Sequence, residues 1–148
     1  MARGVFTLFQ VFVADLGNAE HNLGSDTFKL GIVDDTITPT AADTTPAWGD
    51  YSANEVSADG NYTTGGVTIP VSWGQTSGVG TFNDNSGDIS WSLDASGFTN
   101  GYWGILYNDT NASDLAIGFL DLGGPVSEVS GPISITWNGS GIFTVTIS

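Results

Sequence analysis

The chain contains no cysteine, one histidine (His21) and only two cationic side chains, Arg3 and Lys29. Without cysteine there are no disulfides, no thiolate chemistry and no Cys-based zinc or iron–sulfur site. A single histidine disfavours zinc in any other form. Sixteen Asp and Glu residues oppose the two cations and give a formal charge of -14. Binding to a phosphate backbone needs clustered cations, so nucleic acid is excluded as a partner and anionic membranes are repelled. No apolar run approaches the ~18 residues that a membrane-spanning helix requires. The opening "MARGVFTLFQVFVADLG" has one cation, an interrupting Gln10 and no small-residue cleavage site after it, so it reads as a strand rather than a leader.

What remains is rich in turn formers and β formers. The 148 residues include 21 glycines, while Thr, Ser and Val recur in short segments. This composition predicts an all-β protein. Val5 to Val13 is apolar on both faces and reads as a strand covered twice, by a central place in the fold or by a neighbouring subunit. In "DTFKLGIV", Phe28, Leu30 and Ile32 face one way, while Thr27, Lys29 and Gly31 face the other. The pattern fades from Asp34 to Asn61, a long connection of the kind that is often functional. Within it "WGDYSANEVS" has room for a short helix.

The second half alternates more cleanly. "VTIPVSW" aligns Val67, Ile69, Val71 and Trp73, with Pro70 marking an edge strand. "DISWSL" aligns Ile89, Trp91 and Leu93. "GYWGILY" and "LAIGFLDL" are apolar on both faces. "ISITW" aligns Ile133, Ile135 and Trp137, "IFTVTI" aligns Phe143, Val145 and Ile147, and "WNGSG" between them reads as a hairpin turn. The expectation is one domain over 1–148: an antiparallel β-sandwich, jelly-roll- or Ig-like, of about eight strands with at most one short helix.

Candidate chemistry is thin. His21, Ser25 and Asp26 have the residue types of a serine triad, but no nucleophile motif accompanies them. They read as a polar turn with His21 partly exposed and Ser25 or Asp26 bonding backbone amides. Glu20, Glu55 and Glu128 fall in loops or turns and define no glycosidase pair. "NDNSGD", with Asp84 and Asp88, offers oxygen ligands for calcium but lacks the glycine and distal glutamate of an EF-hand loop. No cofactor and no enzymatic activity are expected. Trp73, Trp91, Trp103 and Trp137 read as core. Trp48, beside Tyr51 in the unpatterned connection, reads as an interface anchor or as the cap on a core edge.

Three stretches, "FTLFQVFVADLGNAEHNLGSDTFKLGIV", "ADGNYTTGGV" and "GYWGILYNDTNASDLAIGFLDLGGPVSEVSGPISITW", follow one another in an order that resembles small bacteriophage virion proteins of the capsid decoration, or cement, type. The resemblance implies a non-enzymatic protein on the exterior of the phage head, made in the host cytoplasm. It implies a homotrimer bound over adjacent major capsid proteins. The apolar N-terminal segment and the 34–61 connection are the expected contact regions, through Phe6, Phe9, Val11, Val13, Trp48 and Tyr51. A tail or neck component, or a carbohydrate-binding sandwich using Trp48 and Tyr51, are the alternatives.

Overall fold

A computed structural model describes residues 4–85 and 87–147. Among these residues the chain forms β1 (Phe6–Leu8), α1 (Phe12–Gly17), β2 (Phe28–Val33), α2 (Trp48–Tyr51), β3 (Val67–Ile69), β4 (Val71–Thr76), β5 (Val79–Asp84), β6 (Ile89–Trp91), β7 (Gly101–Asn108), β8 (Ala116–Val126), β9 (Ile133–Ile135) and β10 (Phe143–Thr146). The strands make a five-stranded sheet in the order β1-β8-β7-β2-β3, a three-stranded sheet β10-β5-β4, and the pair β6-β9. Every pairing is antiparallel. The fold is all-β and sandwich-like, as the alternation predicts.

Two local effects raise the strand number above the expected eight. Pro70 lacks the N–H that a ladder needs, so "VTIPVSW" splits there. β3 pairs with β2, and β4 pairs with β5 in the other sheet. Pro70 thus marks the edge strand that was expected and also the crossing between sheets. β5 was hidden by its small residues. Ser77 and Gly78, both at positive φ (52° and 82°), turn the chain tightly between β4 and β5, the geometry of a two-residue hairpin.

The N-terminal expectation is corrected. The strand is not continuous from Val5 to Val13, because pairing with β8 ends at Leu8. The chain then winds into α1, and the amide of Phe12 donates to the carbonyl of Phe9 at 3.1 Å. Phe9, Phe12 and Leu16 are spaced by three and four, the period of a helix face. The C-terminal hairpin is also corrected. "WNGSG" does turn, with the Gly141 amide donating to Asn138 O at 2.9 Å. It joins strands of different sheets, however, because β9 pairs with β6 and β10 with β5.

The main core lies between the five-stranded and three-stranded sheets. Phe28 of β2 meets Phe82 of β5 edge-on at 5.1 Å, and Phe82 meets Phe143 of β10 at 5.0 Å. Phe28 and Phe82 are wholly buried, each stabilising by roughly 1.5–3 kcal/mol. The opposite face of the five-stranded sheet carries a second cluster built from Val33, Ile105, Tyr107 and Phe119, with Phe9, Trp48 and Tyr51 laid over it. Trp48 stacks on Tyr107 at 5.0 Å and 6°. Gly31 makes room for it, since a Cβ there would come within 2.3 Å of the Trp48 ring. The 34–61 connection is therefore the lid of this second core. That resolves the two-faced strands: their second cover comes from the same chain.

Candidate functional site

The described residues lining the three-stranded sheet share two properties. Directly paired positions place Trp73, Phe82 and Phe143 on one face, and Gly80 and Val145 follow on the same face two residues along. Phe82 and Phe143 lie under the five-stranded sheet. Beyond them the cover ends: Trp73 is 36% exposed, Val145 38% and Ile147 84%. The Trp73 ring lies over Gly80, where a Cβ would come within 2.4 Å of it. These side chains thus form an apolar overhang. The reading of their phase holds, and for Trp73 the expected core burial is corrected. Leu93, aligned with Ile89 and Trp91, is 61% exposed.

The second property is charge. Residues 60–83 and 129–148 contain no Asp, Glu, Lys or Arg, in a chain with 16 acids. These two spans hold β4, β10 and β5 up to Asn83. Both edge strands of the sheet, β4 and β10, therefore lack the charged side chains that commonly guard exposed edges. This charge gap was readable in the sequence and was missed because only strand periodicity was followed.

The six residues expected at an interface are divided by the structure. Phe9 (1% exposed), Trp48 (8%) and Tyr51 (3%) are buried inside the second core. Phe9 and Tyr51 are thus lid residues turned toward their own chain rather than contact residues, and Trp48 takes the second of its two expected roles, the cap on a core edge. Tyr51 donates to Asp43 Oδ2 at 2.9 Å. Burial and that hydrogen bond push the Tyr51 hydroxyl well above its ordinary pKa of 10. Burial pushes the Asp43 carboxyl up, but the bonds from Thr40 and Tyr51 outweigh it, and the net shift is below 3.8. Phe6 and Val11 are half-buried, while Val13 is exposed on α1. Phe6 borders a cleft of about 430 Å³ between β8 and β9, with Leu120, Leu122, Ile133, Ile135 and Trp137. Trp137 packs edge-on against Phe6 at 5.6 Å, and its indole N–H finds no hydrogen-bond partner.

His21 is corrected from partly exposed to buried, at 4%. It stacks on Phe12 at 5.7 Å, and its Nδ1 lies 3.2 Å from Asn108 Nδ2. Asn108 Nδ2 also donates to Asp26 Oδ2 at 2.7 Å, which in turn accepts from the Asn22 amide at 2.7 Å. Burial lowers the His21 pKa below 6.5, against the opposing pull of Asp15, Asp26 and Glu20. This network fastens the loop before β2 to the β7–β8 turn and leaves Ser25 exposed. Its geometry is that of a structural clasp. Among the described residues no group of three or more His, Cys, Asp or Glu side chains is placed to hold a metal. No helix among them is long and apolar enough to cross a membrane. No family model matches the chain, and no curated protein or solved structure matches it significantly.

Proposed function

We propose that the protein is a non-enzymatic virion component, a capsid decoration protein that binds the exterior of a phage head as a homotrimer and braces adjacent major capsid proteins. The observation that carries this reading is the uncharged apolar overhang of the three-stranded sheet. In so acidic a chain, copies approach one another most cheaply where neither carries a charge. β4 and β10 are opposite edges of one sheet. Pairing β4 of one copy with β10 of the next is a head-to-tail contact, which closes into a ring of three when each copy is turned by a third of a circle from the last. Trp73, Val145 and Ile147 then lie at the seam. The acidic remainder of the surface faces outward, where complementary charge steers docking onto basic capsid patches. The carbohydrate-binding alternative loses its support, because Trp48 and Tyr51 are buried.

The test has two arms. Light scattering at high concentration should give three times the chain mass, and Val145→Asp should give a monomer with an unchanged circular dichroism spectrum. A clean monomer for the parent protein defeats the trimer. Bare heads incubated with the protein should bind it and resist heating; heads that neither bind it nor gain resistance defeat the decoration role. Electron microscopy of labelled virions separates a head position from a tail or neck position.

A further inference from the structure

The chain has two Asn–Gly pairs, Asn100–Gly101 and Asn138–Gly139. An asparagine before glycine carries a latent reaction: the next backbone nitrogen attacks its side-chain carbonyl carbon. Glycine permits the approach, because it has no side chain in the way and wide backbone freedom. Whether the reaction runs depends on how the fold holds each pair, and the two are held differently.

Asn100–Gly101 is locked. The Asn100 amide donates to Ser127 Oγ at 3.3 Å, and its Nδ2 donates to Asp35 Oδ1 at 3.0 Å. Gly101 is buried and pairs with Val126 at the start of β7. A Cβ built on it would come within 2.9 Å of Ile32 Cγ2 and 3.0 Å of Val126 Cγ2. Asn138–Gly139 is open. Asn138, Gly139 and Ser140 are all exposed in the turn between β9 and β10. A Cβ on Gly139 would meet nothing within 4 Å, and its amide donates to no carbonyl among the described residues. The Asn138 side chain is nevertheless oriented. Its Oδ1 accepts from the Ser140 amide at 2.8 Å, so a donor already rests on the oxygen that gains negative charge during attack.

We propose that Asn138 is a site of spontaneous deamidation, a slow and one-way charge switch in this turn. The Gly139 nitrogen loses its proton and bonds to Asn138 Cγ. The Cγ–Nδ2 bond breaks, and Nδ2 takes up a proton and leaves as ammonia. Water then opens the resulting succinimide at either carbonyl, giving aspartate or isoaspartate at position 138. The net change consumes a water, releases an ammonia and leaves a carboxyl group that is ionised at neutral pH. Residues 129–148 contain no Asp, Glu, Lys or Arg, so this carboxylate is the first charge in that span. It borders a cleft of about 380 Å³ whose lining includes Asp84 and Asp88, and like charges there repel. The isoaspartate product also adds a methylene to the backbone of the turn that the Gly141 amide closes on Asn138 O at 2.9 Å. The modification is local to the turn and independent of whether copies associate.

The full-length protein is held for weeks in mildly alkaline buffer, folded or in urea, and mapped by mass spectrometry. In urea both pairs should convert, because nothing holds either glycine. In the folded protein Asn138 should convert at least about tenfold faster than Asn100, since Gly101 must first leave its pairing with Val126. Anion exchange should resolve the more acidic product, and an isoaspartate methyltransferase should label part of it. Gly139→Ala fits the open space at that position and should slow conversion with an unchanged circular dichroism spectrum. Asn138→Gln should abolish conversion at this position, because glutamine would have to close a larger ring. An Asn138 that converts in urea but stays intact in the folded protein overturns the proposal. Folded-state conversion of Asn100 as fast as that of Asn138 also overturns it.

Discussion

In the five-stranded sheet both faces are closed by the chain itself: the three-stranded sheet on one side, the 34–61 connection on the other. In the three-stranded sheet one face is closed only at Phe82 and Phe143, and the apolar side chains continue past the cover to Trp73, Val145 and Ile147. Both sheets place a tryptophan over a glycine, Trp48 over Gly31 and Trp73 over Gly80. One tryptophan is 8% exposed and the other 36%. The same local device therefore serves two ends. With a lid it completes a core; without one it presents a flat aromatic surface to solvent, where a partner gains by covering it.

The largest expected effect tests this pair directly. Trp48→Ala opens a cavity against Tyr107 and should cost about 3–5 kcal/mol. Trp73→Ala removes a half-exposed ring and should cost about 1 kcal/mol or less. Denaturant unfolding measures both, in the Val145→Asp background so that association does not contribute. In the otherwise native chain only Trp73→Ala should reduce the mass of the proposed trimer. Equal destabilisation by the two substitutions would mean that the three-stranded sheet is as closed as the five-stranded one.

The second expectation concerns the clasp at the other end of the sheet. The His21 pKa is lowered in the folded protein, chiefly by burial. The unfolded chain then binds the proton more readily, so stability falls as pH drops from about 6.5, the unfolded value, toward the lowered folded one. Asp15 acts oppositely. Burial raises its carboxyl above 3.8, so the folded state holds that proton longer and stability falls as pH rises through that range. His21→Gln removes the first dependence while keeping an acceptor for Asn108. Thermal midpoints at pH 7.5 and 5.5 should differ less in the variant than in the parent. An identical difference in both proteins would show that His21 does not titrate against the fold.

Much of this architecture was legible in the residues. Phe28, Leu30 and Ile32 alternate and are all buried, and β7 and β8 read as two-faced and proved central. Periodicity reports which side chains share a face. It does not report whether anything covers that face, and so Trp73 was read as core while Val145 and Ile147 were only aligned with Phe143. It also fails where small residues carry a strand, as in "VGTFND", or where a helix and a strand are both apolar, as in Phe6 to Leu16. The sequence left Trp48 between anchor and core cap and placed Tyr51 at an interface, because the cover role depends on Gly31 and Tyr107, distant in sequence. The meeting of Asp94 with Glu128 had no local signal: the Asp94 amide donates to the Glu128 carbonyl only when the loops after β6 and β8 come together.

The smallest effect falls on Lys29, whose ammonium lies 2.9 Å from Asp109 Oδ1 across the β2–β7 pairing. Its ion pair is internal to the chain rather than with a neighbouring subunit. Lys29 sits on the face of β2 that leads to Gly31 and Val33, at the rim of the second core. Both side chains keep about a third of their surface in water, at 28% and 34%, so solvent screens the attraction. Lys29→Met should therefore change stability by only ~0–1 kcal/mol, with any loss shrinking as salt is raised. The apolar stem of methionine still covers the rim of the sheet. A loss well above this, insensitive to salt, would show that the pair is effectively dry and that the lid extends further along β2 than Trp48 alone carries it.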